Sequence, residues 1–258
     1  MNQDILTVNN ISKHFGGLMA VSNVNLEVKK GQIKALVGPN GAGKTTLFNL
    51  ITGADVPNSG TVNFAGKDIT GLPPHKVNSL GIARTFQILR LFGKLTALEN
   101  VKIGCHRWTH IGPFRGCLRT PQVRKEEELV NQRAEECLAK VGLSKAAHQL
   151  AANLPLGQRK LLEVARALAS NPELLLLDEP AAGLNDSETD EFLHRIKIIR
   201  DDGVTVLLIE HNMNLVMRLS DEVAVLNYGK KIADGNPQEI QNNPEVITAY
   251  LGKGVAKC

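Results

Sequence analysis

An apolar run, Ile33-Lys34-Ala35-Leu36-Val37, passes straight into Gly38-Pro39-Asn40-Gly41-Ala42-Gly43-Lys44-Thr45, and this junction restricts the chain more than any other feature. The second stretch matches the G-x-x-x-x-G-K-[ST] pattern in full. Such a loop needs a buried strand before it and a turn tight enough for successive N–H groups to point inward. It also needs a following helix whose N-terminus adds partial positive charge. Gly38, Gly41 and Gly43 permit the turn, and Leu47, Leu50 and Ile51 give a helical spacing that closes at Gly53. The loop is therefore expected to hold the phosphates of a nucleoside triphosphate. Lys44 should meet the β- and γ-phosphates and Thr45 a Mg2+ ion, with Pro39, Asn40, Ala42 and Thr46 completing the lining.

A buried strand also ends in Asp178-Glu179-Pro180, after Leu174-Leu175-Leu176-Leu177. Parallel sheets bind ligands at the carboxyl ends of their strands, so this run can bring its acids to the same edge as the phosphate loop. Asp178 is then expected to organise Mg2+. Glu179, one residue further, is expected to orient and deprotonate the attacking water.

At 258 residues, with 43% hydrophobic and 22% charged residues, the chain suits one substantial α/β domain carrying an inserted lobe. The net charge of +4 supports no nucleic-acid partner by itself. Cys105, Cys117, Cys137 and Cys258 show no metal or disulfide spacing, which fits a reducing compartment. The start, Met1-Asn2-Gln3-Asp4-Ile5, lacks the basic and apolar regions of a secretory signal. No run approaches the roughly 18 apolar residues needed to span a bilayer. A cytoplasmic location follows as the expectation, with any membrane role through a partner.

Along the chain, Val24, Leu26 and Val28 alternate with polar residues as in half-buried strands, and Thr61-Val62-Asn63-Phe64 reads as a strand leading to a turn over Ala65-Gly66-Lys67-Asp68. From about Arg90 to Gly157 the character becomes helical. There Leu129, Val130, Ala134, Cys137, Leu138 and Val141 form an apolar stripe among glutamates. A helix over Arg159 to Ser170, the strand Leu174 to Leu177, a helix carrying Phe192, Leu193, Ile196 and Ile199, and the strand Thr205 to Ile209 then indicate a buried parallel sheet.

Upstream of the acids lies Leu154-Pro155-Leu156-Gly157-Gln158. With the phosphate loop and the acidic strand, it resembles the ATP-binding cassette (ABC) ATPases, whose signature is Leu-Ser-Gly-Gly-Gln. The resemblance covers essentially the whole chain. It implies an α/β P-loop NTPase fold with a mixed, largely parallel sheet, an N-terminal antiparallel β subdomain and a helical subdomain inserted at about 88–165. All of this lies within one domain, 1–258. It also implies roles by position: Phe15 stacks on adenine, Gln87 reaches Mg2+ or water, and His211 donates to the γ-phosphate. Gly157 and Gln158 face the ATP of a second cassette, so that two cassettes sandwich two nucleotides. Two departures stand out: Pro155 and Leu156 replace the Ser and first Gly of the signature, and Asn185 replaces the usual Asp of the following loop.

Arg84-Thr85-Phe86-Gln87, the run Asp178 to Asn185 and the tail from Ile209 through Asn242 to Gly252 are similar to the ATP-binding subunit of bacterial high-affinity branched-chain amino-acid importers. That resemblance implies two permease subunits with transmembrane helices, a second, different cassette and, indirectly, a periplasmic binding protein. It implies no nucleic acid. The subunit would sit on the inner face of the plasma membrane. Alternatives are an importer of urea or other small amides, a non-transport ABC ATPase, and a nucleotide-gated regulator with weak hydrolysis. A GTPase is disfavoured, because no Asn-Lys-x-Asp motif occurs. Between Val101 and Lys125, Lys102, Arg107, Arg115, Arg119, Arg124 and Lys125 occur with no acid, and Trp108 and Phe114 among them. This stretch is expected either to meet a permease or anionic lipid, or to be a solvated loop.

Overall fold

The computed structural model describes residues 3–105 and 121–251. The greater part of the basic stretch, with Arg107, Trp108, Phe114, Arg115, Cys117 and Arg119, lies outside the described residues. The described residues fall into two compact units. The first comprises Met1–Arg84, Glu173–Pro180 and Arg200–Cys258, the second Thr85–Pro172 and Ala181–Ile199.

The first unit holds two sheets. Strands β1 (Asp4–Phe15), β2 (Leu18–Lys29), β4 (Ser59–Phe64) and β5 (Lys67–Asp68) form an antiparallel sheet in the order β2-β1-β4-β5. Lys67 and Asp68 pair with Phe64 and Asn63, so the expected four-residue turn is only Ala65-Gly66 and the chain re-enters the sheet. The second sheet runs β10-β9-β3-β8-β7-β6. Its strands are β3 (Ile33–Val37), β6 (Ile82–Arg84), β7 (Leu174–Asp178), β8 (Thr205–Ile209), β9 (Glu222–Asn227) and β10 (Lys230–Gly235). Strands β3, β6, β7, β8 and β9 run parallel, and β10 is antiparallel to its neighbour β9. Every residue of β3, β7 and β8 is buried, as an internal strand covered on both faces requires.

Helix α1 (Lys44–Ile51) joins the two sheets through one core. Its Leu47, Phe48, Leu50 and Ile51 cluster with Leu6, Ile11, Leu26 and Val62 of the antiparallel sheet and with Leu36, Leu176 and Leu207 of the parallel one. Full burial of such a side chain contributes roughly 1.5–3 kcal/mol, so this cluster fixes α1, and hence the loop before it, against both sheets. Helix α2 (Pro74–Leu80) precedes β6.

The second unit is helical. After an irregular passage from Thr85, helix α3 (Ala97–Gly104) starts at a reciprocal capping box between Thr96 and Glu99. Helix α3 packs on α4 (Pro121–Lys140) and α5 (Leu156–Leu168), and α4 packs on α5. The expected stripe on α4 is narrower than the sequence suggested: Ala134, Cys137, Leu138 and Val141 are buried, whereas Leu129 is 58% exposed. Five residues separate Leu129 from Ala134, which turns its side chain about 140° off the buried face. The helix expected over Arg159 to Ser170 instead begins at Leu156 and ends at Leu168, so Gly157 and Gln158 belong to its first turn. Helix α6 (Asp186–Asp201) buries Phe192, Leu193, Ile196 and Ile199. Helices α7 (Met213–Leu219), α8 (Pro237–Gln241) and α9 (Pro244–Leu251) complete the first unit. Among the described residues, no helix is long and apolar enough to cross a membrane.

Candidate nucleotide site

Because β3, β6, β7 and β8 are parallel, their carboxyl ends form one edge. Leu36 is in register with Ile209, Asp178 with Ile209, and Arg84 with Leu176. The phosphate loop, Arg84, the pair Asp178-Glu179 and the pair Glu210-His211 all leave the sheet there.

The loop itself excludes side chains where it bends. Gly38 and Gly43 have φ of 148° and 101°, and a Cβ would meet Leu226 O at 2.1 Å and Ala20 O at 2.4 Å respectively. No L side chain fits either position. Gly43 is the N-cap of α1 and supplies no side-chain cap, leaving the first-turn N–H groups to an anion. Lys44 is buried, and its Nζ donates to Gly38 O (2.6 Å) and Pro39 O (3.0 Å). Burial pushes the Lys44 ammonium below its ordinary range, while Glu179 and Asp178 pull it back up. Thr45 lies exposed at the first turn of α1.

Asp178 is almost fully buried and its Oδ2 accepts from Arg84 Nη2 at 2.8 Å. Glu179 sits in the left-handed region at φ 46°, unusual for a residue with a side chain, and its N–H donates to Ile209 O at 3.0 Å. Its Oε2 lies 3.8 Å from His211 Nδ1, within ion-pair range and beyond a hydrogen bond. The side chain of His211 is 57% exposed. Phe15 ends β1 half-exposed, with Lys13 Nζ 5.0 Å from its ring centre and bound to Asp55. Partial burial pushes the phenol of Tyr250 in α9 up, an effect that the nearby Gly38 backbone partly opposes. Neither Arg84 nor Tyr250 was assigned a role from the sequence. Arg84 meets Asp178 only through the β7-β6 adjacency, and nothing local in the sequence marks it or Tyr250.

The second unit carries the remaining expected residues. Gln87 is exposed, three residues past Arg84. Pro155 is the N-cap of α5 and offers no side-chain acceptor or hydroxyl. The Gly157 N–H donates to Glu188 Oε1 at 3.2 Å, and the other oxygen of that carboxylate accepts from Asn185 N–H at 3.2 Å. Asn185 Oδ1 accepts in return from Glu188 N–H at 2.9 Å. Asn-x-x-Glu before a helix is a legible capping pattern, and it joins the signature to the loop after the acidic strand. Gln158 is exposed.

Glycines without room for side chains, a buried lysine at a helix start and acids on the neighbouring strand end define a P-loop nucleotide site. The comparisons make the class specific. The family model described as ABC transporter matches residues 21–182, and a second, described as Branched-chain amino acid ATP-binding cassette transporter, matches residues 230–256. The chain belongs to the ABC transporter family, as one of its ATP-binding cassette ATPases. It is 45% identical over 254 residues to the high-affinity branched-chain amino acid transport ATP-binding protein LivG of Escherichia coli (strain K12), covering 98% of this chain and 100% of that protein. The ADP conformation of the ABC transporter cassette MJ1267 superposes with a TM-score of 0.85 at 34% identity, over 97% of this chain and 100% of that one. The dimeric post-hydrolysis state of the cassette MJ0796 bound to ADP and Pi gives 0.74 at 27% identity, over 90% and 98%.

Proposed function

We propose that this chain is the ATP-hydrolysing motor of an importer for branched-chain amino acids. The observation that carries the reading is that the Lys44 loop, Asp178 and Glu179 leave one sheet edge, in a chain similar to an importer ATPase along its whole length. Lys44 exchanges its two carbonyl partners for the β- and γ-phosphates. The N–H groups of Asn40 to Thr46 surround those phosphates, and Phe15 stacks on the adenine through its ring face. Thr45 and Asp178 offer a hydroxyl and a carboxylate oxygen, hard donors suited to Mg2+, and the family resemblance assigns the amide oxygen of Gln87 to the same ion. When bound, Mg2+ screens the phosphate charge. Glu179 takes the proton of the attacking water as general base, and His211 donates to the γ-phosphate.

Gly157 and Gln158 face the ATP of a second cassette. The similar cassette MJ0796 is itself dimeric in a post-hydrolysis state bound to ADP and Pi. The Gly157 N–H must then exchange Glu188 for the incoming phosphate. With no hydroxyl at Pro155, the partner is a different cassette rather than a second copy. Two permease subunits are the remaining direct partners, and the exposed Ile88 (79%) and Phe92 (52%), flanking Gln87 in sequence with Phe86, supply an apolar surface for them. A periplasmic binding protein acts through those permeases, which hold this subunit at the cytoplasmic face.

Two measurements test the reading. Glu179→Gln keeps the shape of the base and removes its basicity, so hydrolysis should fall by about 10²–10⁴-fold while ATP binding survives. Wild-type turnover in that variant rejects the base assignment. Deletion of the subunit should abolish high-affinity uptake of leucine, isoleucine and valine by cells. Unchanged uptake rejects the substrate and leaves the small-amide importer in its place.

A further inference from the structure

We infer that Arg84 is a positioning residue for the metal-organising carboxylate: it fixes which oxygen of Asp178 turns toward the nucleotide's cation and ties that carboxylate to the helix that carries Lys44 and Thr45. This rests on the reading of Asp178 and Thr45 as Mg2+ groups given above. Arg84 is the last residue of β6. Its Nη2 donates to Asp178 Oδ2 at 2.8 Å, and its Nη1 donates to Asn49 Oδ1 at 2.7 Å and Thr52 Oγ1 at 3.4 Å. Asn49 lies on α1 and Thr52 is its C-cap, and the guanidinium carbon stands 5.7 Å from the ring centre of Phe48, also on α1. One rigid fork thus spans the end of β7 and the helix behind the phosphate loop. A lysine could not do this, because a single ammonium lacks the planar set of donors.

The side chains of Arg84 and Asp178 are 9% and 6% exposed, so water and salt screen their interaction weakly. Two consequences follow. Oδ2 is committed to the guanidinium, which leaves Oδ1 as the oxygen available to a cation or its water shell and blocks bidentate capture. A fixed positive charge beside the carboxylate also weakens its hold on a divalent ion. Orientation favours turnover, whereas the added charge opposes metal binding. Removing the guanidinium should therefore move the two in opposite directions, a signature that loss of folding does not produce.

The test uses the full-length chain as wild type, Arg84→Gln and Arg84→Lys. Calorimetric titration of ATP across a Mg2+ series reads metal dependence without turnover, and steady-state kinetics gives kcat and KM. For Arg84→Gln, kcat should fall about 10- to 100-fold from misplacement of the carboxylate. The Mg2+ needed for half-maximal ATP binding should drop about threefold as the opposing charge is lost. Arg84→Lys retains the charge, so its Mg2+ requirement should match wild type while its kcat still falls. Wild-type kcat in either variant overturns the proposal, as does a Mg2+ requirement that rises in Arg84→Gln. If Arg84→Gln fails to give a cooperative thermal transition, Arg84→Lys alone decides, and its wild-type kcat would count against the fork. ATP binding by the wild type that ignores Mg2+ altogether removes the metal reading itself, and this inference with it. Wild-type Mg2+ dependence with unaffected variants removes only the role of Arg84.

Discussion

Glu179 carries a backbone cost that its position explains. A side-chain-bearing residue at φ 46° is strained by about 1–2 kcal/mol, and it is held there by its N–H bond to Ile209 O at the point where β7 leaves the sheet. Relief of that strain is measurable. Glu179→Gly should be more stable than Glu179→Ala by about 1 kcal/mol in urea unfolding, although glycine loses more entropy on folding, and both should lack hydrolysis. Equal stability of the two would show that the turn is unstrained. Lys44→Ala should lose tight ATP binding in a fluorescent-nucleotide titration, because the buried ammonium is the side-chain cation of the phosphate loop. Lys44, Asp178 and Glu179 were legible from sequence, since each stands in a short motif whose spacing is its own geometry. Arg84 was not, because its partner Asp178 is distant in the chain and meets it only through the order of the sheet, and Tyr250 was not, because the phosphate loop it approaches is distant in the chain.

At the level of elements, the strands β3, β7 and β8 and the helices after β3 and β7 could be read from apolar runs and periodicity, since burial on both faces leaves an unbroken apolar string. Element ends were less visible. The start of α5 was expected three residues late, because Pro155-Leu156-Gly157 reads as a turn, yet proline is tolerated just before a first helical turn and preset for it. The start of α3 is better marked, with Thr96 and Glu99 closing a capping box. Thr96→Ala removes one side of that box and should cost about 1 kcal/mol, seen as a lower thermal midpoint with the nucleotide affinity of the first unit unchanged. Unaltered unfolding in that variant would mean that the start of α3 is held by other contacts.

For the molecule as a whole, acid is the informative stress. Hydrogen bonds from Lys13 hold Asp55 below the usual carboxylate range, and bonds from Thr70 and Thr96 do the same for Asp68 and Glu99. At Glu222 burial pushes upward, but Lys29 and Lys34 outweigh it and the net direction is down. A depressed folded value means stability fully present above the unfolded value and lost as pH falls through the folded one. Glu163 works the other way: burial raises it, so its penalty at neutral pH is relieved on acidification. The depressed set is larger, and the urea midpoint should hold above about pH 5 and decline below about pH 4. Asp55→Asn should flatten part of that decline. A midpoint that rises on acidification would show Glu163 to dominate.

The place of β3 in the sheet bears on how the chain is made. Ile33–Val37 precedes its partners by far, since its sheet neighbours among the described residues are β8 and β9, residues Thr205–Ile209 and Glu222–Asn227. During translation the strand that leads into the phosphate loop therefore waits with both edges open until β8 and β9 emerge from the ribosome. Long-range parallel pairing of this kind is slow and exposes strand edges to aggregation. A nascent chain arrested before Thr205 has the phosphate-loop sequence complete and no native strand on either side of it, so it should engage chaperones and fail to retain ATP.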